Sequence, residues 1–365
     1  MKDLSSVFPA FDWLTDYDRS DLRGDLSAGL TVGVMLIPQA MAYAMLAGVE
    51  PIYGLYAGLV PLIVYALLGT SRHLSVGPVT VDMLIVAAGI GIFTGPETSA
   101  IELAVMVAVM TGVCEVLMGI FGFGFMVNFL SRPVIAGFMT AAPLIIASNQ
   151  LGNLLGIASP DTQYVHRHIW SAIRQASEIH PETCIIGLAG VVLLAGLQYI
   201  KPRWPAALIW VTAAISATWV LGLAGDGVEI VGEIPQGLPP FQIPESLAEF
   251  DTERMRQLAP TALTLALVEF MYVMSLGQAF ANEHEYDVKP NRELIAIGAA
   301  NIFGSLFRAV PISGSFSRSA VNHRAGAHTA LSNVVAAVLV GITLLLLTPL
   351  FFYLPLPALA ATIIV

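Results

Sequence analysis

The chain has 365 residues, 56% of them apolar and only 12% charged, with a mean hydropathy of +0.77. A soluble domain carries about a quarter charged residues, so the composition excludes an ordinary soluble enzyme, and the hydrophobicity excludes a disordered chain. The net charge of −10 lies mostly on acids outside the apolar stretches and argues against a nucleic-acid partner.

A membrane span needs about 20 residues. Leu26–Val49 offers 24 without a charge, and Ala325–Val365 offers 41, broken by Pro349, Pro355 and Pro357. These stretches predict an all-α polytopic membrane protein in a lipid bilayer. Residues 1–25 are polar and acidic and predict a cytoplasmic N-terminal segment, not a signal peptide. With charges as punctuation, twelve segments follow: 27–46, 53–69, 76–94, 101–122, 133–152, 183–200, 204–223, 259–281, 293–307, 313–323, 329–348 and 356–365. The last is too short to span, so a longer protein is expected. The connections 153–181 and 224–258 are polar, and short surface helices or irregular lids are expected there.

Lys and Arg set the orientation. With the N-terminus cytoplasmic, ten of these residues (Lys2 and Arg19 through Lys289, Arg292 and Arg324) fall inside, against Arg167, Arg174, Arg254 and Arg256 outside. A multi-pass protein of the cell inner (plasma) membrane is the expectation. Cys114 and Cys184 lie in apolar segments and read as small core residues.

Segments three and ten share an anomaly. One follows Gly69-Thr70-Ser71-Arg72-His73-Leu74-Ser75-Val76-Gly77-Pro78, the other Gly304-Ser305-Leu306-Phe307-Arg308-Ala309-Val310-Pro311-Ile312-Ser313-Gly314. Each has a Gly-Ser or Gly-Thr turn, a polar stretch with Arg, a β-like piece, then Gly and Pro near a helix start. Seven segments separate them, and an odd-numbered repeat inserts upside down. Two inverted seven-segment halves are therefore predicted: 26–223 as the first repeat, 224–258 as an extracytoplasmic loop, and 259–365 as an incomplete second repeat. Short, interrupted segments at matching positions point to a transporter's binding site. Their half-helix N-termini each carry roughly +0.5 charge and free N–H donors, which favours an anion.

At these residues the chain resembles the sulfate permease (SulP) family. Ile37-Pro38-Gln39-Ala40-Met41-Ala42-Tyr43-Ala44, Pro51-Ile52-Tyr53-Gly54-Leu55-Tyr56-Ala57 and Ser75-Val76-Gly77-Pro78 carry the likeness in the first half. So does the block from Phe129 to Met139. Asn291-Arg292-Glu293-Leu294, Gly298-Ala299-Ala300-Asn301 and Ser317-Arg318-Ser319-Ala320-Val321-Asn322 carry it in the second. The resemblance implies fourteen segments in two inverted repeats, a core domain moving against a gate domain, and a C-terminal STAS domain beyond Val365. It also implies a homodimer formed through that missing region.

Arg318 lies inside segment ten, where a buried arginine must face a cavity or a partner; the resemblance puts it beside the anion site. Gln39 and Tyr43 share one helix face, four residues apart, and by resemblance line the pocket. Val79, Ser315 and Phe316 would bracket the anion with backbone N–H groups at the half-helix starts. Glu269, a lone carboxylate in segment eight, matches the family's coupling acid, for H⁺ or Na⁺. Asp82 departs from the family pattern and is a second candidate for coupling; Glu115 is expected to be structural. His73, His284, His323 and His328 show no metal-ligand spacing, and no metal or other cofactor is expected. No zinc-protease pattern, Walker A string or nucleophile elbow is present.

The expected function is secondary active transport of a small inorganic or organic anion: sulfate first, with bicarbonate or dicarboxylate also open. An uncoupled channel or exchanger of the same fold and a nucleobase permease-like carrier are the alternatives. Glu269 favours coupling over a channel, and Arg318 favours an anion over a neutral base.

Overall fold

A computed structural model describes residues 17–94, 99–129, 144–160, 164–200, 206–243, 252–284 and 286–365, with single residues 137, 141 and 204 between them. The described chain is almost entirely helical. The first segment forms α1 (Arg19–Leu46), and the second breaks at Gly58 into α2 (Pro51–Ala57) and α3 (Val60–Leu68). Segment three is a two-residue strand, β1 (Val76–Gly77), followed by the half-helix α4 (Thr80–Ile90). Segment four is α5 (Ala100–Ile120). Nine of the twenty residues of the fifth predicted segment, 133–152, lie outside the described residues. The connection after it holds α6 (Leu151–Leu155) and α7 (Val165–Arg174), the short helices expected there.

Two further spans are α8 (Pro181–Ile200) and α9 (Ala206–Leu221). The second half opens with the 33-residue α10 (Thr252–His284) and continues with α11 (Pro290–Ser305). Segment ten repeats the broken pattern as β2 (Ser313–Gly314) and the half-helix α12 (Phe316–Arg324). The chain then runs through α13 (Leu331–Ile342), a π-turn and a 3-10 turn to α14 (Leu356–Ile364). Among the described residues, five helical stretches are long and apolar enough to cross a membrane: 21–46, 51–68, 100–120, 252–284 and 331–351. The chain is a multi-pass membrane protein.

Two helices start earlier than their charge-free cores. Segment one was bounded at 27 by Asp25, yet α1 begins at Arg19. Asp25 is fully buried, because its carboxylate accepts hydrogen bonds from the backbone N–H groups of His328 and Thr329 and from the Thr329 hydroxyl. Segment nine was bounded at Glu293, yet α11 begins at Pro290. Glu293 is also buried and accepts from the Tyr65 hydroxyl and the backbone of Thr70 and Ser71. An acid with a full set of donors can be buried where a lone one cannot.

The chain divides into two compact units that cut across the sequence halves. The first contains residues 1–130 and 237–344, so it takes segments one to four and eight to eleven, each with its counterpart seven places on. The second contains 131–236 and 345–365. Within it, Trp210 Nε1 of α9 donates to the Ala358 carbonyl of α14, and Ile230 bridges Pro355.

Inside the first unit α5 and α11 cross at two glycines. A Cβ on Gly112 would stand 2.5 Å from the Gly298 carbonyl oxygen, and one on Gly298 would stand 2.6 Å from that of Gly112. Small residues let two membrane helices approach this closely. Gly298→Ala is expected to force them apart and cost about 1–3 kcal/mol, as overpacking does. Thermal unfolding in detergent checks this against Gly196→Ala on α8, where a Cβ meets nothing within 4 Å and no loss is expected.

Candidate functional site

The site grows from the two broken segments. β1 and β2 pair antiparallel, with Val76 opposite Gly314 and Gly77 opposite Ser313. Antiparallel pairing is what an inverted repeat requires of equivalent segments. Beyond this pair the backbone is held by side chains. Asn333 Nδ2 donates to the Leu74 carbonyl at 2.8 Å, and Asn322 Nδ2 to that of His73 at 3.0 Å. Ser75 N–H donates to Ser319 Oγ at 2.9 Å, and Ser315 N–H to the Ser75 carbonyl at 3.0 Å. Non-helical backbone survives inside a membrane protein only with such partners.

The half-helices α4 and α12 start directly after this pair. Val79 takes the extended cap position of α4, with φ −130° and ψ 143°. Ser315 caps α12, its hydroxyl accepting from Arg318 N–H at 3.4 Å. Phe316 turns its ring edge-on to Tyr272 of α10, centroids 5.4 Å apart.

Arg318 is 0% exposed and is among the largest fully buried side chains. Its Nη1 donates to Gln39 Oε1 at 3.4 Å, while Nε and Nη2 have no hydrogen-bond partner among the described residues. Gly77 explains how a guanidinium fits there. Its φ of +143° suits glycine, and a Cβ at that position would stand 3.1 Å from Arg318 Nη2. Tyr43 and Asp82 both lie within electrostatic reach of Arg318. Asp82, in the first turn of α4, is fully buried, and neither of its carboxyl oxygens has a hydrogen-bond partner among the described residues. The structure thus gathers Gln39, Tyr43, Asp82 and Arg318 in one place, with Val79, Ser315 and Phe316 at the adjoining helix starts.

Glu269 is one step removed. Asn301 Nδ2 of α11 donates to Glu269 Oε2 at 2.8 Å and to Glu115 Oε2 at 3.2 Å. The two carboxyl groups also hydrogen-bond each other, and both residues are fully buried. Glu115, for which a structural role is expected, is the direct partner of the candidate coupling acid. The Gly112–Gly298 crossing brings Glu115, one turn on from Gly112 on α5, up to Asn301 of α11. Asn301 also clamps the approach to β2: Ile312 N–H donates to its Oδ1 at 2.8 Å, and its Nδ2 lies 3.3 Å from the Ile312 carbonyl.

The structure also gathers histidines that show no metal-ligand spacing in the sequence. Far apart in sequence, His73, His284 and His323 converge at the end of the first unit where α10 and α12 terminate. His73 stacks on His284 with centroids 4.3 Å apart, and His284 Nε2 lies 3.1 Å from His323 Nδ1. Burial first, then His284 and His323, pushes the His73 imidazole down to about 3, so that ring is neutral at neutral pH. His328 lines the same cleft but is not one of the three, and lies 3.8 Å from Asp21.

Similarity to known proteins runs nearly the full length. Residues 22–365 match the model of the sulfate permease family. Sulfate transporter 4.1, chloroplastic, of Arabidopsis thaliana is 37% identical over 99% of this chain and 53% of its own length. High affinity sulfate transporter 2 of Stylosanthes hamata is 37% identical over 99% of this chain and 56% of its own. The chain thus spans about half the length of the curated relatives it matches. The inward-facing structure of the murine solute carrier 26 family member A9 anion transporter superposes with a TM-score of 0.90 at 26% identity, covering 99% of this chain and 63% of that one. The transmembrane domain of a cyanobacterial bicarbonate transporter, BicA, shares the fold with a TM-score of 0.83 at 24% identity, over 95% and 88% of the two chains.

Asn301 joins the acid pair to β2, so its removal has a definite expected cost. Asn301→Ala leaves the Ile312 amide and the two carboxyl groups without this partner, at about 1–3 kcal/mol for each buried group left unpaired. Thermal unfolding should register the loss.

Proposed function

The chain belongs to the sulfate permease family, and we propose that it carries a divalent oxyanion, sulfate first, across a membrane by alternating access with proton coupling. The observation that carries this reading is Arg318: fully buried, with two guanidinium nitrogens unpartnered among the described residues, beside two half-helix starts. A guanidinium contributes +1, and two helix N-termini add roughly +0.5 each. The sum of about +2 matches a divalent anion. A neutral nucleobase would leave that charge uncompensated, which disfavours the permease alternative. The names of the plant relatives support sulfate among divalent anions.

Recognition would begin with the planar fork of Arg318, which suits the paired oxygens of an oxyanion. Gln39 holds one edge of the guanidinium and leaves Nε and Nη2 to donate. The backbone N–H groups at the starts of α4 and α12 complete the donor set. All of these groups lie in the first unit, so displacement of that unit as a body carries the site intact from one side to the other.

Proton coupling rests on the acids. Two carboxyl groups in hydrogen-bonding contact require a proton between them, which favours H⁺ over Na⁺ at Glu115 and Glu269. Asp82 adds the link to substrate. Ionised, it lowers the charge of the anion site to about +1; protonated, it restores about +2. Proton and sulfate would then enter together.

Two experiments on reconstituted protein test this. Arg318→Ala should weaken sulfate binding at least 100-fold while the protein stays folded and inserted, and Arg318→Lys should recover only part of the affinity. Unchanged affinity in the alanine variant would remove Arg318 from the site. Glu269→Gln combined with Glu115→Gln should collapse uptake driven by a pH gradient while sulfate exchange, which moves no net proton, continues. Intact gradient-driven uptake in the double variant, and in a triple variant with Asp82→Asn, would exclude proton coupling through these carboxyls.

A further inference from the structure

The histidine cluster does no work in the transport reading, and its arrangement exceeds what packing needs. His73, His284 and His323 each offer a ring nitrogen, and the three ligand atoms all lie within 4.8 Å of one another. We propose that these residues bind one divalent transition-metal ion of the Zn²⁺ class, with three imidazole ligands and an open position for water.

Four observations support the assignment. First, His284 Nε2 and His323 Nδ1 are 3.1 Å apart, close to the edge of about 3.3 Å that a tetrahedron with Zn–N bonds of about 2.0–2.1 Å would have. Second, the outer nitrogen of His323, Nε2, lies 3.3 Å from Glu283 Oε1. A carboxylate behind a histidine fixes its tautomer and turns the opposite nitrogen toward a metal. Third, His73 is anchored at both ends: its Nδ1 is 3.4 Å from the Tyr286 hydroxyl, and its carbonyl accepts from Asn322. Fourth, the three rings line a cleft of about 260 Å³, together with His328, Tyr286 and Arg72. That is room for an ion and its water. Arg72 does not compete for the centre of the site, because its guanidinium stands over the Tyr286 ring at 5.5 Å.

An all-imidazole set selects Zn²⁺, Co²⁺, Ni²⁺ or Cu²⁺ over Mg²⁺ and Ca²⁺, which require oxygen ligands. On binding, the hydrogen bond between His284 and His323 gives way to two metal–nitrogen bonds. Its proton moves to the other nitrogen of the ring that held it. The exposed His284 must rotate out of its stack on the buried His73, uncovering one face of that ring. The ion would tie the residues leading into β1 to the ends of α10 and α12, the frame on which the strand pair is mounted.

Purified, tag-free protein titrated with Zn²⁺ by calorimetry and with Co²⁺ by visible spectroscopy tests the site without reference to transport. One ion per chain, the bands of four-coordinate Co²⁺ and a higher melting temperature are expected. His284→Ala and His323→Ala, on the open side of the cluster, should each abolish stoichiometric binding and leave the metal-free melting temperature unchanged. Glu283→Gln should weaken it about 10- to 100-fold. Absence of stoichiometric binding to the unaltered chain, or binding that persists in the His284→Ala/His323→Ala double variant, would overturn the proposal.

Discussion

Four residues of extended backbone, Val76–Gly77 against Ser313–Gly314, fix everything else in the first unit. All four are buried, so each N–H and C=O needs a partner inside the protein. The two strands supply partners to each other, and Asn322, Asn333 and Ser319 supply them to the residues leading into β1. Because the pairing is antiparallel, the two half-helices begin from opposite ends of one small ladder. Their N-termini, which elsewhere would be satisfied by water, are thereby fixed beside a single arginine.

The same economy of partners ties the acids to the ladder. Asn301 has one amide to divide among Glu115, Glu269 and the backbone of Ile312, the residue immediately before β2. Under the proposed coupling, a change in the protonation of the two carboxyls would alter what Asn301 can donate to, and the next group in line is the strand that positions α12 and Arg318. These hydrogen bonds form a contiguous physical route from the acid pair to the surroundings of Arg318.

Much of this was legible in the sequence, for identifiable reasons. Segments three and ten announced themselves because Gly and Pro interrupt apolar runs at matching places, and only a cavity-lining role tolerates that. Arg318, Gln39 and Asp82 stood out as polar groups in apolar surroundings. The partners of those groups were not legible. Glu115 reaches Asn301, which also holds Glu269, because Gly112 and Gly298 allow α5 and α11 to touch, a crossing that no local pattern encodes. Asp25 and Glu293 marked segment ends by their charge, yet both are buried, their donors coming from residues hundreds of positions away. The histidines escaped for the same reason. Metal-ligand spacing is a local signature, and this cluster is assembled from three separate segments.

Charge balance explains why the buried acids and the arginine belong to one device. Asp82, Glu115, Glu269 and Arg318 are all 0% exposed, and Asp82 acts electrostatically on the other three. With every acid ionised the group would carry −2 in a medium that charges uncompensated ions at several kcal/mol each. One proton between Glu115 and Glu269 lowers the excess to −1, and a second on Asp82 brings the group to neutrality. Only then would the two helix N-termini and the arginine face the proposed anion without an opposing carboxylate. Under the proposed coupling, each ligand would raise the affinity for the other by the same free energy, as linkage requires. In the proposed cycle, proton and anion would be coupled because both act on a single buried arginine.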